Sequence, residues 1–262
     1  MTSAEPHIAV GDIAARLDIG PGDTVLVSSD VLRLALACRE RGERFDADVF
    51  IDSLQARIGA TGTLLFPTYS WAFCKGEGFD AKKTPSLMGA LTSQALRRPD
   101  FRRTRHPLYS FAVWGAGQQD LCALDNRDSW SEDSPFGYLY RRNAKNLFAG
   151  IHYRQAFTFD HYAEQKVGVP YRYFKSFFGP YTDENGTTTS RAEYTMYVRD
   201  LSLGIGTFVR PELDDVLAQA GLYQEQTING VYFGQIALHG ACDIMEQDIR
   251  DGGGLIYTAP EP

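Results

Sequence analysis

The chain has 262 residues, 44% of them hydrophobic, ample for a large core in one α/β domain or in a main domain with a smaller subdomain. A formal net charge of −7 argues against nucleic acid as a partner, and no apolar run is long enough to cross a bilayer. Met1 to Val10 lacks the basic region and apolar core of a signal peptide, and Cys38, Cys74, Cys122 and Cys242 have neither metal-ligand spacing nor a disulfide pattern, so a reducing cytoplasm with free, buried thiols is expected.

Residues 7–19 read as a short amphipathic helix, with Ile8, Val10, Ile13, Ala14 and Leu17 apolar. A turn at 20–23 leads to a buried strand over 24–27. Ser28-Ser29-Asp30 follows at once, ahead of the apolar run 31–38, which predicts a strand, a hydroxyl-rich turn and a helix start. Such a turn can simply cap the helix, or it can hold an anion at the helix N-terminus. A second helix is expected over 47–58, with Val49, Phe50, Leu54 and Ile58 on one face. Gly59 to Gly62 ends it, and a short buried strand over 63–66 stops at Pro67-Thr68. This alternation favours a parallel or mixed sheet between helices.

Residues 70–86 are irregular and rich in aromatics and lysine, as a loop over a site would be; 87–97 is helical. Arg102 to His106 is a basic cluster in an acidic protein, which suits an anionic ligand such as phosphate or a solvated charge run equally well. A strand over 108–114, a helix over 116–124, a polar loop over 125–133 and a helix opening at Ser134-Pro135 come next. A strand over 145–151 then delivers the chain to Thr158-Phe159-Asp160-His161-Tyr162-Ala163-Glu164.

In that stretch a hydroxyl, a histidine and a carboxylate recur at intervals of three. If a helix starts here, Thr158 caps it and His161 and Glu164 share a face. A carboxylate beside an imidazole fixes its tautomer and raises its basicity, as general-base chemistry needs, although a structural histidine fits the same spacing. Its place after a buried strand favours function, because sites in open α/β sheets gather at the carboxyl ends of strands. Asp160 would replace Glu164 as the partner if the helix started later. Beyond 168, alternating aromatic and basic residues over 171–178, turn signals at 179–180 and 185–186, and an extended run over 187–199 predict antiparallel strands. A helix over 211–221, a strand over 227–238, a helix over 241–250 and a last strand over 255–258 close the chain.

The assembled motifs resemble the aminoglycoside 3-N-acetyltransferase family. They are Gly-Asp-Thr-Val-Leu-Val-Ser-Ser (22–29), Gly-Thr-Leu-Leu-Phe-Pro-Thr (62–68), Arg-Thr-Arg-His-Pro-Leu-Tyr-Ser-Phe (103–111), Ser-Pro-Phe-Gly (134–137) and Thr-x-x-His-x-x-Glu (158–164), in family order over residues 18–170. Ser28 stands where the family usually has histidine, and Thr104 where it has serine. The resemblance implies an α/β fold with a central mixed, largely parallel sheet flanked by helices, and a smaller antiparallel β subdomain in the C-terminal part, distinct from the GNAT fold. Residues 1–168 would form the coenzyme-binding and catalytic part, 169–210 the antiparallel subdomain near the acceptor, and 211–262 a return to the main domain. It implies transfer of an acetyl or short acyl group from coenzyme A, as acetyl-CoA, to an amine on a sugar, without a metal. His161 would be the base and Glu164 its partner, and Ser28, Ser29, Asp30, Thr68, Arg103, Arg105, His106 and Ser110 would line the coenzyme.

Two acceptors compete. A nucleotide-linked amino sugar wants arginines, lysines and aromatics, which the stretch 171–178 offers, and it is the favoured expectation, with Thr158, Asp160, Arg172 and Lys175 at the acceptor. A polycationic aminoglycoside wants carboxylates, which the net charge and the 125–133 loop offer. A non-catalytic acyl-CoA-binding protein would not need the Thr158–His161–Glu164 set. An acyl-cysteine route through Cys74 lacks an adjacent base, and a hydrolase using Ser110 or Ser134 lacks Gly-x-Ser-x-Gly. A homodimer is compatible with the sequence.

Overall fold

A computed structural model of the protein describes residues 6–260. Strand β1 (Thr24–Ser29) is buried from Val25 to Ser28, as a strand covered on both faces must be. Helices α1 (Leu32–Glu40) and α2 (Ala47–Ile58) carry the chain over to β2 (Thr63–Pro67), which is wholly buried and parallel to β1, with Thr24 opposite Thr63. A short β3 (Phe79–Asp80), α3 (Ala90–Arg97), a two-residue β4 (Arg102–Arg103), β5 (Phe111–Gly115), α4 (Gln118–Ala123) and α5 (Pro135–Arg141) follow. Then come β6 (Lys145–Ala149), α6 (Asp160–Val167), the long hairpin β7 (Arg172–Thr182) and β8 (Thr188–Arg199), β9 (Ile205–Val209) and α7 (Glu212–Gln219). Strands β10 (Tyr223–Ile228) and β11 (Val231–Ala237), α8 (Leu238–Arg250) and β12 (Ile256–Pro260) complete the order.

Seven strands form one mixed sheet in the order β10-β11-β6-β1-β2-β5-β4. Only the central β6, β1 and β2 run parallel; both flanks are antiparallel. The fold is mixed α/β, with a smaller parallel share than the alternation of predicted elements suggested. Successive residues of a strand face opposite ways, so the sheet separates two cores. Val25, Val27, Leu64 and Phe66 pack with Ile13 and the buried face of α2, while Leu26, Leu65 and Phe148 pack with Phe136, Tyr162 and Met245. A separate sheet, β3-β7-β8, and a β9-β12 pair lie outside the main one. Among the described residues no helix is long and apolar enough to cross a membrane.

Local differences from the sequence reading have local causes. Residues 10–16 form a 3-10 helix rather than a longer amphipathic one. Ser28 and Ser29 belong to β1, and Asp30 alone turns to the helix, accepting from the Leu32 amide at 3.0 Å. The expected strand 227–238 is a hairpin, because Asn229 and Gly230 both adopt positive φ, as a tight two-residue turn demands. Gly150, with φ +75°, ends β6. A Cβ there would stand 2.0 Å from the Asp30 carbonyl, so only glycine lets the chain pass β1 on its way to α6.

Candidate active site

Helix α6 begins at Asp160 with Phe159 as its N-cap residue. Thr158 therefore does not cap it, and the residue lines the cleft described below. Tyr162 and Ala163 are buried, and the Lys166–Glu246 ion pair ties α6 to α8. Gly168, in the left-handed region, stops the helix and turns the chain back, so Tyr171 and Arg172 return beside the face that carries His161.

His161 Nδ1 lies 2.9 Å from Glu164 Oε2 and 3.0 Å from Asp160 Oδ1. Glu164 is fully buried and fully engaged. Arg172 Nη2 meets Oε2 at 2.8 Å, and the Tyr171 hydroxyl donates to Oε1 at 3.0 Å. Burial would raise the Glu164 carboxyl, but His161, Arg172 and Tyr171 together hold it below the usual range. Desolvation would lower His161, yet the Asp160 and Glu164 carboxylates outweigh it and raise the imidazole to about 9. With Nδ1 facing two carboxylates, its proton belongs on that nitrogen, which frees Nε2 to accept another. The Nδ1, Asp160 and Glu164 ligand atoms lie within 4.8 Å of one another, close enough for a metal, but the Arg172 guanidinium already supplies the positive charge on Glu164.

An aromatic wall flanks the histidine. Trp130 meets His161 edge-on with ring centroids 4.9 Å apart, Tyr109 meets Trp130 at 4.9 Å, and Tyr69 meets Tyr109 at 4.7 Å. Three buried polar atoms of this neighbourhood, Trp130 Nε1, Arg172 Nε and, one turn along α6, Gln165 Oε1, have no hydrogen-bond partner among the described residues. Unpaired polar atoms are costly in a core, and water or a polar ligand would satisfy them here.

A cleft of about 1070 Å³ has Tyr69 and Thr158 in its lining. Ser28, Ser29 and Asp30 line it, together with Asn146, Arg44 and Arg97, which the sequence reading did not single out. Three helix starts reach it. Asp30 and Asp46 occupy those of α1 and α2, whereas α3 opens at Gly89 with no side-chain cap. That uncapped glycine start was the only sequence signal for this end of the cleft.

The remaining predicted coenzyme residues stand elsewhere. Thr68, His106 and Ser110 have no exposure, Arg103 is nearly buried, and none of the four lines the cleft. Thr68 Oγ1 and Ser110 Oγ are 2.9 Å apart, and Arg103 donates to Ser110 Oγ at 2.9 Å and to the Thr68 carbonyl at 2.7 Å, locking the end of β2 to β5. His106 Nδ1 accepts from the Leu108 and Tyr109 amides, and burial pushes its pKa down to about 3, so it stays neutral. Arg105 sits 3.9 Å from Glu184, also off the cleft. On the acceptor side, Arg172 is spent on Glu164, and Lys175 is exposed, its ammonium 5.4 Å from the Phe177 ring.

Residues 38–247 match the family model described as aminoglycoside 3-N-acetyltransferase. Aminoglycoside N(3)-acetyltransferase IV of a Salmonella species is 28% identical over 123 residues, which span 46% of this chain and only 46% of that protein. The solved structure of AAC-IIIb in binary complex with CoASH is similar over 97% of both chains, with a TM-score of 0.73 and 17% identity. A variant of the aminoglycoside acetyltransferase AAC(3)-IVa in complex with apramycin is similar over 95% of both chains, with a TM-score of 0.68 and 19% identity. At these identities the solved structures establish a common fold.

Proposed function

The chain belongs to the aminoglycoside 3-N-acetyltransferase family, and on that premise we propose that it moves an acetyl group from acetyl-coenzyme A to an amino group of an aminoglycoside, with His161 as general base. The observation that carries the mechanism is the buried Arg172–Glu164–His161 chain, with contacts of 2.8 and 2.9 Å, ending on an imidazole that is still one-quarter exposed. A sugar amine is largely protonated near neutral pH and attacks a thioester only after losing a proton. His161 Nε2 takes that proton. Glu164 and Asp160 then stabilise the imidazolium through Nδ1, and Arg172 keeps Glu164 ionised.

The cleft fits the coenzyme, which supplies the acyl group as a thioester. Its wall offers Leu26, Val31, Ala35 and Met88 to an apolar arm, and Arg44, Arg97 and the uncapped start of α3 to phosphates. The earlier preference for a nucleotide-linked amino sugar gives way. The matched family and relative are aminoglycoside acetyltransferases, and the one buried cation of the 171–178 stretch, Arg172, is already neutralised by Glu164. A cationic acceptor finds instead the exposed carboxylates of the 125–133 loop, Asp125, Glu132 and Asp133. Burial raises the Cys74 thiol, which disfavours an acyl-cysteine route.

Thiol release from acetyl-CoA, measured across aminoglycosides and nucleotide amino sugars in parallel, tests the reading. Turnover is expected with aminoglycosides, falling at least about 100-fold in His161→Ala. Near-normal turnover in that variant would remove His161 as the base; turnover confined to nucleotide sugars would restore the other acceptor.

A further inference from the structure

The loop over 125–133 has almost no regular structure of its own, yet Trp130 within it is 2% exposed and set edge-on to His161. One side chain ties the loop to both of its neighbours. Asp128 Oδ1 accepts from the Trp130 amide at 2.9 Å and from Gln165 Nε2 at 2.7 Å, and its Oδ2 accepts from Thr195 Oγ1 at 3.1 Å. Gln165 lies one helical turn beyond His161 on the same face of α6, and Thr195 lies on β8. Main-chain bonds from Thr195 to the Arg127 carbonyl and from Ser129 to the Thr195 carbonyl run alongside. Asp128 thus joins three elements distant in sequence: the loop, the helix that carries the base, and the hairpin that supplies Arg172.

We propose that Asp128 is a positioning residue, which fixes Trp130 against His161 and so sets the side from which the acceptor amine reaches Nε2. The inference rests on the acetyltransferase reading for its kinetic consequences, but the placement of Trp130 can be tested without turnover. Charge and geometry separate cleanly here. In Asp128→Asn the amide oxygen still accepts from the Trp130 amide and Gln165, and the amide nitrogen donates to Thr195 Oγ1, so the junction survives without its charge. In Asp128→Ala it is lost.

The first measurement is Trp130 emission against pH, taken as the difference between each protein and the same protein carrying Trp130→Phe. This removes the contributions of Trp71 and Trp114. An imidazolium touching an indole quenches it more than a neutral imidazole does, so emission should rise as His161 loses its proton. Asp128→Asn should keep that rise, and Asp128→Ala should lose at least half of its amplitude. The second measurement is the split between substrates. Asp128→Ala should raise the acceptor KM about tenfold and leave the coenzyme KM unchanged, while Asp128→Asn stays within about threefold of the parent. If Asp128→Ala does not fold, Gln165→Met, which removes one of the three donors, should shift both readouts the same way by less. Asparagine behaving like alanine would overturn the proposal in favour of a direct charge effect on the acceptor. So would an unchanged emission titration in the alanine variant, or in Gln165→Met if that variant must stand in. Retained emission differences without turnover on any acceptor would leave the positioning intact and sink the acetyltransferase reading alone.

Discussion

Two carboxylates converge on one nitrogen of His161, and the consequences are opposite for catalysis and for stability. A base must be neutral to act, so kcat/KM should climb with pH and level off near 9, where the imidazole loses its proton. The folded protein, by contrast, holds that proton more tightly than the unfolded chain, whose histidine titrates near the ordinary value of about 6.5. The contribution to stability is therefore complete below about 6.5 and fades as pH rises through 9. Asp160→Asn removes one of the two stabilising charges, and it should move the kcat/KM profile down by about one pH unit or more; a pH-rate profile that does not move would take Asp160 out of the circuit. Arg172 is the opposite case. Arg172→Met leaves the buried Glu164 carboxylate with His161 as its sole cationic partner, so denaturant titration above pH 9, where that imidazole is neutral, should register a loss of about 3–5 kcal/mol, and a smaller one at pH 7. The spacing of His161 and Glu164 was readable from a helix template. The role of Arg172 was not, because its basic side chain sits in an aromatic stretch that looks like an exposed binding strip until the hairpin folds it inward.

At the level of elements, the site depends on how chain segments are started and stopped. Ser134 opens α5 by accepting from the Gly137 amide, and Ser134→Ala should cost about 1 kcal/mol in thermal or chemical unfolding. Gly150→Ala should cost more, several kcal/mol or failure to accumulate as folded protein, since strained backbone and a clash with the Asp30 carbonyl act together. Elements with strong apolar patterns were legible in the sequence. The predicted bounds of α2 match the structure, and β1, β2 and β6 fall where expected, because burial on both faces leaves continuous apolar runs. Boundaries set by backbone conformation were harder to read. Thr158 looked like a cap, but the turn at 157–159 is continued by main-chain bonds, and the helix starts at Asp160 without one. The Asn229-Gly230 turn had a readable signal, but the polar residues 224–227 before it gave no sign of the first strand of its hairpin.

Across the whole molecule, the cleft proposed for the coenzyme shares Tyr69 with the chain of aromatic rings that runs through Tyr109 and Trp130 to His161. Arg44→Ala and Arg97→Ala should each weaken coenzyme binding about tenfold, more steeply at low salt, while Arg105→Ala should leave it unchanged; calorimetric titration with CoA decides between them. Composition left the 102–106 cluster open between an anion site and a solvated charge run, and the family resemblance put it at the coenzyme. A run of polar side chains announces hydrogen bonds but not their partners, and Thr68, Arg103 and Ser110 make theirs with one another. The β7–β8 hairpin lies outside the seven-stranded sheet and contributes Arg172, and Asp128 binds the Trp130 loop to it. The cleft, by contrast, is framed by β1, β2, β6 and the starts of helices. Descendants of such a gene can accordingly remodel the periphery, retune which amine is accepted, and keep the acyl donor they inherited.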